Sequence, residues 1–208
     1  MHDTPIYNPC FLRCHGIKPA NNCLSFVNGT YLGSHTLSEN NPLKKKIQKF
    51  SLEIINQIFE FPENALIHIE LFVDNNEKFW FCEVACRIGG NGINDEVKAH
   101  YGIDIKLEYL KAECGLNSQI RIANSQNKIA ARLLIPPVSG KLLKIPNACP
   151  DKDLLSYQSR GIPGKTYHKM QMSNDEIANF LMLLDNEDNV HSKLQTLANW
   201  FYSNTTWE

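Results

Sequence analysis

The sequence has no apolar run near the roughly 18 residues that a membrane-spanning helix requires, no sustained basic stripe, and no internal repeat or low-complexity tract. The first absence argues against a membrane protein. The second argues against charge-driven binding of nucleic acid, because 21 Lys and Arg face 22 Asp and Glu for a net charge of −1. Lys44-Lys45-Lys46 is a single short run and reads as the solvated start of a helix. Met1-His2-Asp3-Thr4-Pro5 contains neither the basic region nor the apolar stretch of an export signal. Seven cysteines is an odd number, which without an export signal points to reduced thiols in a cytoplasmic protein rather than to disulfides. Cys10, Cys14, His15 and Cys23 match the spacing of no regular zinc module. What is present suits one medium domain or two small ones: 208 residues, 43% of them hydrophobic, enough for a real core.

Residues 1–36 read as short extended pieces without a helix, and Asn28-Gly29 reads as a turn. Asn41-Pro42 is an N-cap and first-turn pair. Leu43, Ile47, Phe50, Ile54 and Ile58 then recur at helical spacing, predicting a helix over 42–59 whose apolar stripe packs on a sheet. A helix is expected from Asp95 to Tyr101, stopped by Gly102, and another over Asp104 to Cys114 with Leu107 and Leu110 buried and Gly115 ending it. The polar stretch Leu116 to Asn127 reads as a loop or boundary. Strands follow at Ile129 to Ile135 and Lys141 to Ile145. Ser173 to Glu176 fits a capping box for a helix over 174–184, but Ala178 to Leu184 equally suits a buried strand, and the strand is preferred. Val190, Leu194, Leu197 and Phe201 make the last helix.

The chemistry concentrates in two apolar runs, Leu66 to Val73 and Lys78 to Ala85, that flank Asp74-Asn75-Asn76-Glu77. Each carries a glutamate that a buried strand should not tolerate, Glu70 and Glu83. If the four-residue turn closes a hairpin with Val73 opposite Lys78, Glu70 faces Phe81 and Glu83 faces His68. The glutamates are then diagonal neighbours on one face, with Cα atoms roughly 7–8 Å apart, and Phe72, Phe79 and Phe81 share that face. Two like charges on a half-buried face repel unless something positive lies between them. One or two hard divalent cations with oxygen ligands, Mg²⁺ carrying phosphate groups, would meet that need. Arg87 continues the face four residues beyond Glu83. Gly89-Gly90-Asn91-Gly92 precedes a helix amino terminus, so its backbone N–H groups could cradle a substrate carboxylate or phosphate. His68 reads as a hydrogen-bonding spacer, and Cys82 and Cys86 as small core-facing residues. Arg160-Gly161 and Lys165 read as a loop with solvated charges.

His68-Ile69-Glu70-Leu71-Phe72, a short turn, then Phe81-Cys82-Glu83-Val84-Ala85-Cys86-Arg87-Ile88-Gly89-Gly90-Asn91-Gly92 resembles the metal-binding hairpin of the ATP-grasp ligases. Tyr31 to Leu37 with the following helix resembles the elements that precede this hairpin in the family. Ala131 to Ile135, Pro136-Pro137, Ser139-Gly140 and the final strand and helix resemble the small carboxy-terminal subdomain of the L-amino-acid ligase branch.

The resemblance implies an α+β fold with antiparallel sheets and packed helices: residues 1–115 as the carboxy-terminal lobe of an ATP-grasp domain, and 116–208 as a small α+β subdomain. It implies Glu70 and Glu83 as ligands of Mg²⁺ or Mn²⁺ bridging the phosphates of ATP. Arg87 would be the catalytic cation against phosphoryl charge, and Gly89 and Gly90 the substrate-binding backbone. The position two residues after the second glutamate, an asparagine ligand in many members, is Ala85 here. The implied partners are ATP and a small carboxylate or amino-acid substrate, with neither nucleic acid nor membrane. No glycine-rich, lysine-bearing lid lies in residues 1–40, so the expectation is a truncated or split carboxylate–amine ligase, completed by a separate chain that supplies the missing half. The alternatives are a non-catalytic remnant that binds metal, nucleotide or a partner chain, and an interaction module.

Overall fold

The periodic stretches of the sequence become, in a computed structural model, a mixed succession of strands and helices. In chain order they are β1 (His15–Ile17), β2 (Leu32–Thr36), α1 (Pro42–Gln57), β3 (His68–Val73), β4 (Phe79–Ala85), α2 (Ile93–Tyr101), α3 (Ile105–Glu113), β5 (Ile129–Ile135), β6 (Gly140–Lys144), β7 (Leu154–Ser159), β8 (Thr166–Tyr167), β9 (Ala178–Leu184), α4 (Val190–Ser203) and β10 (Thr206–Trp207). The structure describes residues 25, 27–62, 65–90, 92–116, 128–172 and 174–208, with the backbone of 15–17. The side chains of Cys10, Cys14, His15 and Cys23 and nearly all of the loop expected at 116–127 lie outside them.

The fold is α+β. All strand pairings are antiparallel among the described residues, in a five-stranded sheet ordered β1-β2-β5-β9-β7, a small sheet ordered β10-β6-β8, and the separate hairpin β3-β4. The larger sheet draws strands from both sides of residue 116, so the two segments expected as separate lobes share one ladder at β2 and β5. No helix among the described residues is long and apolar enough to cross a membrane.

Alternation gives the large sheet two chemically different faces. Ile129, Ala131, Leu133 and Ile135 of β5 and Ala178, Phe180, Met182 and Leu184 of β9 form the core with Val190, Leu194, Leu197, Ala198 and Phe201 of α4. Each large side chain buried there contributes about 1.5–3 kcal/mol. The strand preferred for 178–184 is thus the observed element, because its alternate residues complete this layer. The opposite face carries Ser34, Arg132 and Asn179, and α2 lies against it, with Ser34 Oγ donating to Glu96 at 2.5 Å; Val97 and Tyr101 of α2 form a separate apolar cluster with Ile103.

Several expectations are corrected by packing. Leu107 and Leu110 are 49% and 60% exposed, because α3 docks on α2 through Ile105 at its start and turns these residues outward. Asn28-Gly29 is a turn as expected, but it ends a helical turn where no helix was expected: residues 25, 27 and 28 are helical, Gly29 has φ 66°, and the Thr30 N–H returns to the Ser25 carbonyl at 2.9 Å. Lys44 is buried, paired with Glu39 and 6.0 Å over the Tyr101 ring, while Lys45 and Lys46 are exposed. The α1 stripe buries only Ile54 fully and leaves Ile58 exposed. Arg160 is half exposed, as a solvated charge would be, and is in addition paired with the buried carboxylate of Glu176.

The junction between the amino-terminal elements and α4 is made by one carboxylate. Glu187 accepts from the Ser38 N–H at 2.9 Å, from Asn41 Nδ2 at 2.7 Å and lies 3.2 Å from His35 Nε2. Burial alone would raise its pKa, but these hydrogen bonds together hold it below the ordinary value of 4.5. A depressed carboxyl stabilises the fold above its unfolded pKa, and that contribution is lost as pH falls through the folded value. Glu187→Ala is therefore expected to cost about 1.5–3 kcal/mol near neutral pH. Urea denaturation at pH 7 and below pH 4.5 checks this, with the gap between wild type and variant closing in acid.

Candidate metal and substrate site

Local turn chemistry, not residue count, sets the hairpin register. The Asp74 carboxylate accepts from the N–H of Asn76 at 2.8 Å and of Lys78 at 3.0 Å, and from the Trp80 indole at 3.1 Å. The Lys78 bond, chiefly, lowers the Asp74 pKa. Glu77 takes a left-handed φ of 58°, the one such non-glycine residue among those described. The connection is thereby a five-residue loop, and Val73 pairs with Phe79 rather than Lys78.

A second shift follows. Leu71 pairs with Phe81, but Glu70 pairs with Glu83, so Cys82 is the extra residue of a β-bulge. The two glutamates are direct cross-strand partners instead of diagonal ones. Glu83 no longer faces His68, which lies opposite Ala85. Phe79 and Phe81 move to the other face, where Phe79 stacks on Phe50 of α1 at 5.5 Å and Phe81 lies 6.1 Å from Phe59. The displaced thiol of Cys82 is exposed, as is that of Cys86.

The bulge leaves a compact donor set. One ligand atom each from His68, Glu70 and Glu83 lies within 4.8 Å of the others, and His68 Nε2 is 3.1 Å from Glu70 Oε1. Two carboxylates and an imidazole nitrogen suit a divalent cation. Arg87 extends from the end of β4 with Nη2 4.0 Å from Glu83 Oε1, and its Nη1 donates to the Ile88 carbonyl at 2.9 Å. Both partners are half exposed, so this contact contributes little to stability.

The glycine segment joins this cluster to the large sheet. A Cβ on Gly89 would come within 2.9 Å of His68 Nδ1 and would collide with Ile93, so the loop can lie against the histidine only without a side chain. Open space surrounds Gly90. Gly92, at φ 73°, is the N-cap of α2, and a Cβ there would fall on the guanidinium of Arg132. The helix therefore starts two residues earlier than expected, at Ile93. Asn91 lies outside the described residues.

Arg132 went unnoticed in the sequence. It projects from β5, is 5% exposed, and its Nε and Nη1 have no hydrogen-bond partner among the described residues. Asp95 approaches Nη1 only to 3.9 Å. Desolvation, above all, lowers its pKa. The charge persists at neutral pH. A single arginine inside the apolar run Ile129 to Ile135 was the available signal.

No protein-family model matches the sequence, and no curated protein is detectably similar to it. Solved structures are. The chain resembles a phosphoribosylglycinamide synthetase from Anaerococcus prevotii with a TM-score of 0.61 and 16% identity, over 85% of this chain and 44% of that one. The chain has the fold of part of an ATP-grasp protein. The resemblance to an L-amino acid ligase from Bacillus licheniformis is of the same order, with a TM-score of 0.61 and 16% identity over 85% of this chain and 43% of the other. A single-chain, multi-domain long-chain acyl-CoA carboxylase is similar at a TM-score of 0.52 and 15% identity, this chain covering 20% of it. The ATP-grasp fold is thus present over less than half the length of the solved proteins it resembles.

Arg132 interacts electrostatically with the fully buried carboxylate of Glu96 and with Asp95, so its removal leaves Glu96 buried without its neighbouring cation. Arg132→Met is therefore expected to lower unfolding stability by about 3–5 kcal/mol. Urea denaturation measures this, and a variant as stable as the wild type would show that the unsatisfied Nε and Nη1 cost as much as the pairing contributes.

Proposed function

We propose that the chain is the metal- and substrate-bearing part of a truncated or split ATP-grasp ligase, related in chemistry to enzymes that join a carboxylate to an amine through an acyl-phosphate. The observation that carries this reading is the direct pairing of Glu70 with Glu83 beside His68 and Arg87, on a fold shared with ligases. Mg²⁺ or Mn²⁺, when bound to Glu70 and Glu83, would supply the positive charge that ATP phosphates need.

The chain's own residues fill the other roles. Glu70 and Glu83 hold the cation on one face of the hairpin. Arg87, more than half exposed and hinged at the end of β4, is the catalytic cation, placed to meet negative charge developing on a transferred phosphoryl group. The backbone of Gly90, with open space around it, and that of Gly89 beside His68 and Ile93 orient the substrate carboxylate or amino acid. No nucleophilic side chain is required, since charge stabilisation and in-line alignment do most of this work. Cytoplasmic location fits reduced, exposed thiols at Cys82, Cys86 and Cys114.

One observation favours a complementing chain. Phe50, Ile54, Ile58, Phe59 and Phe81 line an open apolar groove between α1 and the hairpin, on the face opposite the glutamates. Ile58 is 68% and Phe81 45% exposed there. A partner polypeptide carrying the rest of an ATP site would cover such a surface; a remnant or pure interaction module would use the same groove without nucleotide.

Calorimetric titration with Mg²⁺-ATP is expected to show binding that the Glu70→Ala/Glu83→Ala double variant loses. Equal binding by both proteins, or none by either, would count against the reading. ADP release by the chain alone is expected to stay at the uncatalysed level, and measurable turnover would show that no complementing half is needed.

A further inference from the structure

Resting on the metal reading of Glu70 and Glu83, we infer that His68 is a third ligand of the same cation, through Nε2, and that the site therefore selects Mn²⁺ over Mg²⁺. Three observations converge on this. Strand alternation puts His68 and Glu70 on one face, and the Cys82 bulge brings Glu83 to the same place, so the three ligand atoms fall within 4.8 Å of one another. The separation of His68 Nε2 from Glu70 Oε1 is 3.1 Å. Two ligands each about 2.1 Å from one ion and at right angles to each other lie about 3 Å apart, so this spacing is that of neighbouring positions in a coordination shell.

The ring is also oriented for the task. Gly89, having no side chain, leaves room for the imidazole, whose Nδ1 lies where a side chain at that position would crowd it, while Nε2 is turned toward Glu70. A ligating histidine uses one nitrogen for the metal while its surroundings fix the other. Across the ladder from His68 stands Ala85, too small to occupy the space between the strands or to compete as a donor. The histidine side chain is mostly shielded, at 18% exposure, against about half for each glutamate, so it is the positioned member of the set.

The ligand class decides the metal. Mg²⁺ demands oxygen ligands and keeps its waters, whereas imidazole nitrogen with two carboxylates suits Mn²⁺, Fe²⁺ and Zn²⁺. A histidine hydrogen-bonded to Glu70 purely as a spacer would leave an all-oxygen site with no such preference.

Mn²⁺ is the probe, because its paramagnetism reports its ligands without any turnover. Electron paramagnetic resonance titration of the full chain is expected to show Mn²⁺ bound at least tenfold more tightly than competing Mg²⁺. Electron spin-echo modulation is expected to show coupling to ¹⁴N. His68→Gln should abolish that coupling and weaken Mn²⁺ at least tenfold. Gly89→Ala keeps the histidine but crowds its ring and Ile93, and should likewise lose the coupling and weaken Mn²⁺ to a similar degree. Mn²⁺ that binds through the glutamates with no ¹⁴N coupling would overturn the assignment of His68 and leave the metal reading intact. Mn²⁺ binding that is absent, or that survives Glu70→Ala/Glu83→Ala unchanged, would overturn both.

Discussion

Burial of the β5–β9 ladder on both of its faces is the constraint around which the molecule is arranged. All seven residues of β5 are buried, and each pairs with a residue of β9. A strand with no solvated side must find two different covers, and the alternation of its side chains assigns them. The face of Leu133 and Phe180 is sealed by α4 through dispersion and exclusion of water. The face of Arg132 and Asn179 receives α2, whose start is set by the glycine segment. The position of that segment is thus inherited from the core, and through Gly89 it reaches His68 of the hairpin.

On the hairpin the physical problem is reversed. Like charges placed directly opposite on an antiparallel ladder destabilise it, yet the Cys82 bulge produces that arrangement for Glu70 and Glu83. A regular ladder would have separated them along the strands. Sequences tolerate such local conflict where a site requires it. His68 beside Glu70 and Arg87 near Glu83, both toward the open end of the hairpin, moderate the repulsion without neutralising it within the hairpin alone.

Much of this was legible in the sequence, for reasons that differ by residue. The helices over 42–57 and 190–203 are set by local rules: Asn41 accepts from the Leu43 N–H at 2.9 Å, as an N-cap before Pro42 must, and the stripe of α4 repeats at 3.6 residues. β5 and β9 announce themselves as apolar runs. Glu70 and Glu83 stood out because charge is expensive inside such runs, and the same rule, applied to Arg132, would have found the buried guanidinium too. The register was not legible. It depends on the three hydrogen bonds of Asp74, a left-handed Glu77 and a bulge at Cys82, none of which follows from counting residues between strands. Leu107 and Leu110 misled for a related reason: periodicity reports that a helix has an apolar face, not that a neighbour exists to cover it.

The separateness of the hairpin has a consequence in time as well as in space. β3 and β4 pair with each other and with no other strand among those described. Ring contacts from Phe50 and Phe59 and the Lys46–Glu77 ion pair tie them to α1 and its exit. Segments held by few contacts open locally at free energies below that of global unfolding. The candidate ligands therefore belong to the part of the chain whose amides exchange hydrogen early, while β5, β9 and α4 exchange only with unfolding of the whole. Anything captured by the hairpin raises the threshold for local opening by mass action, and leaves the protection of the core as it was.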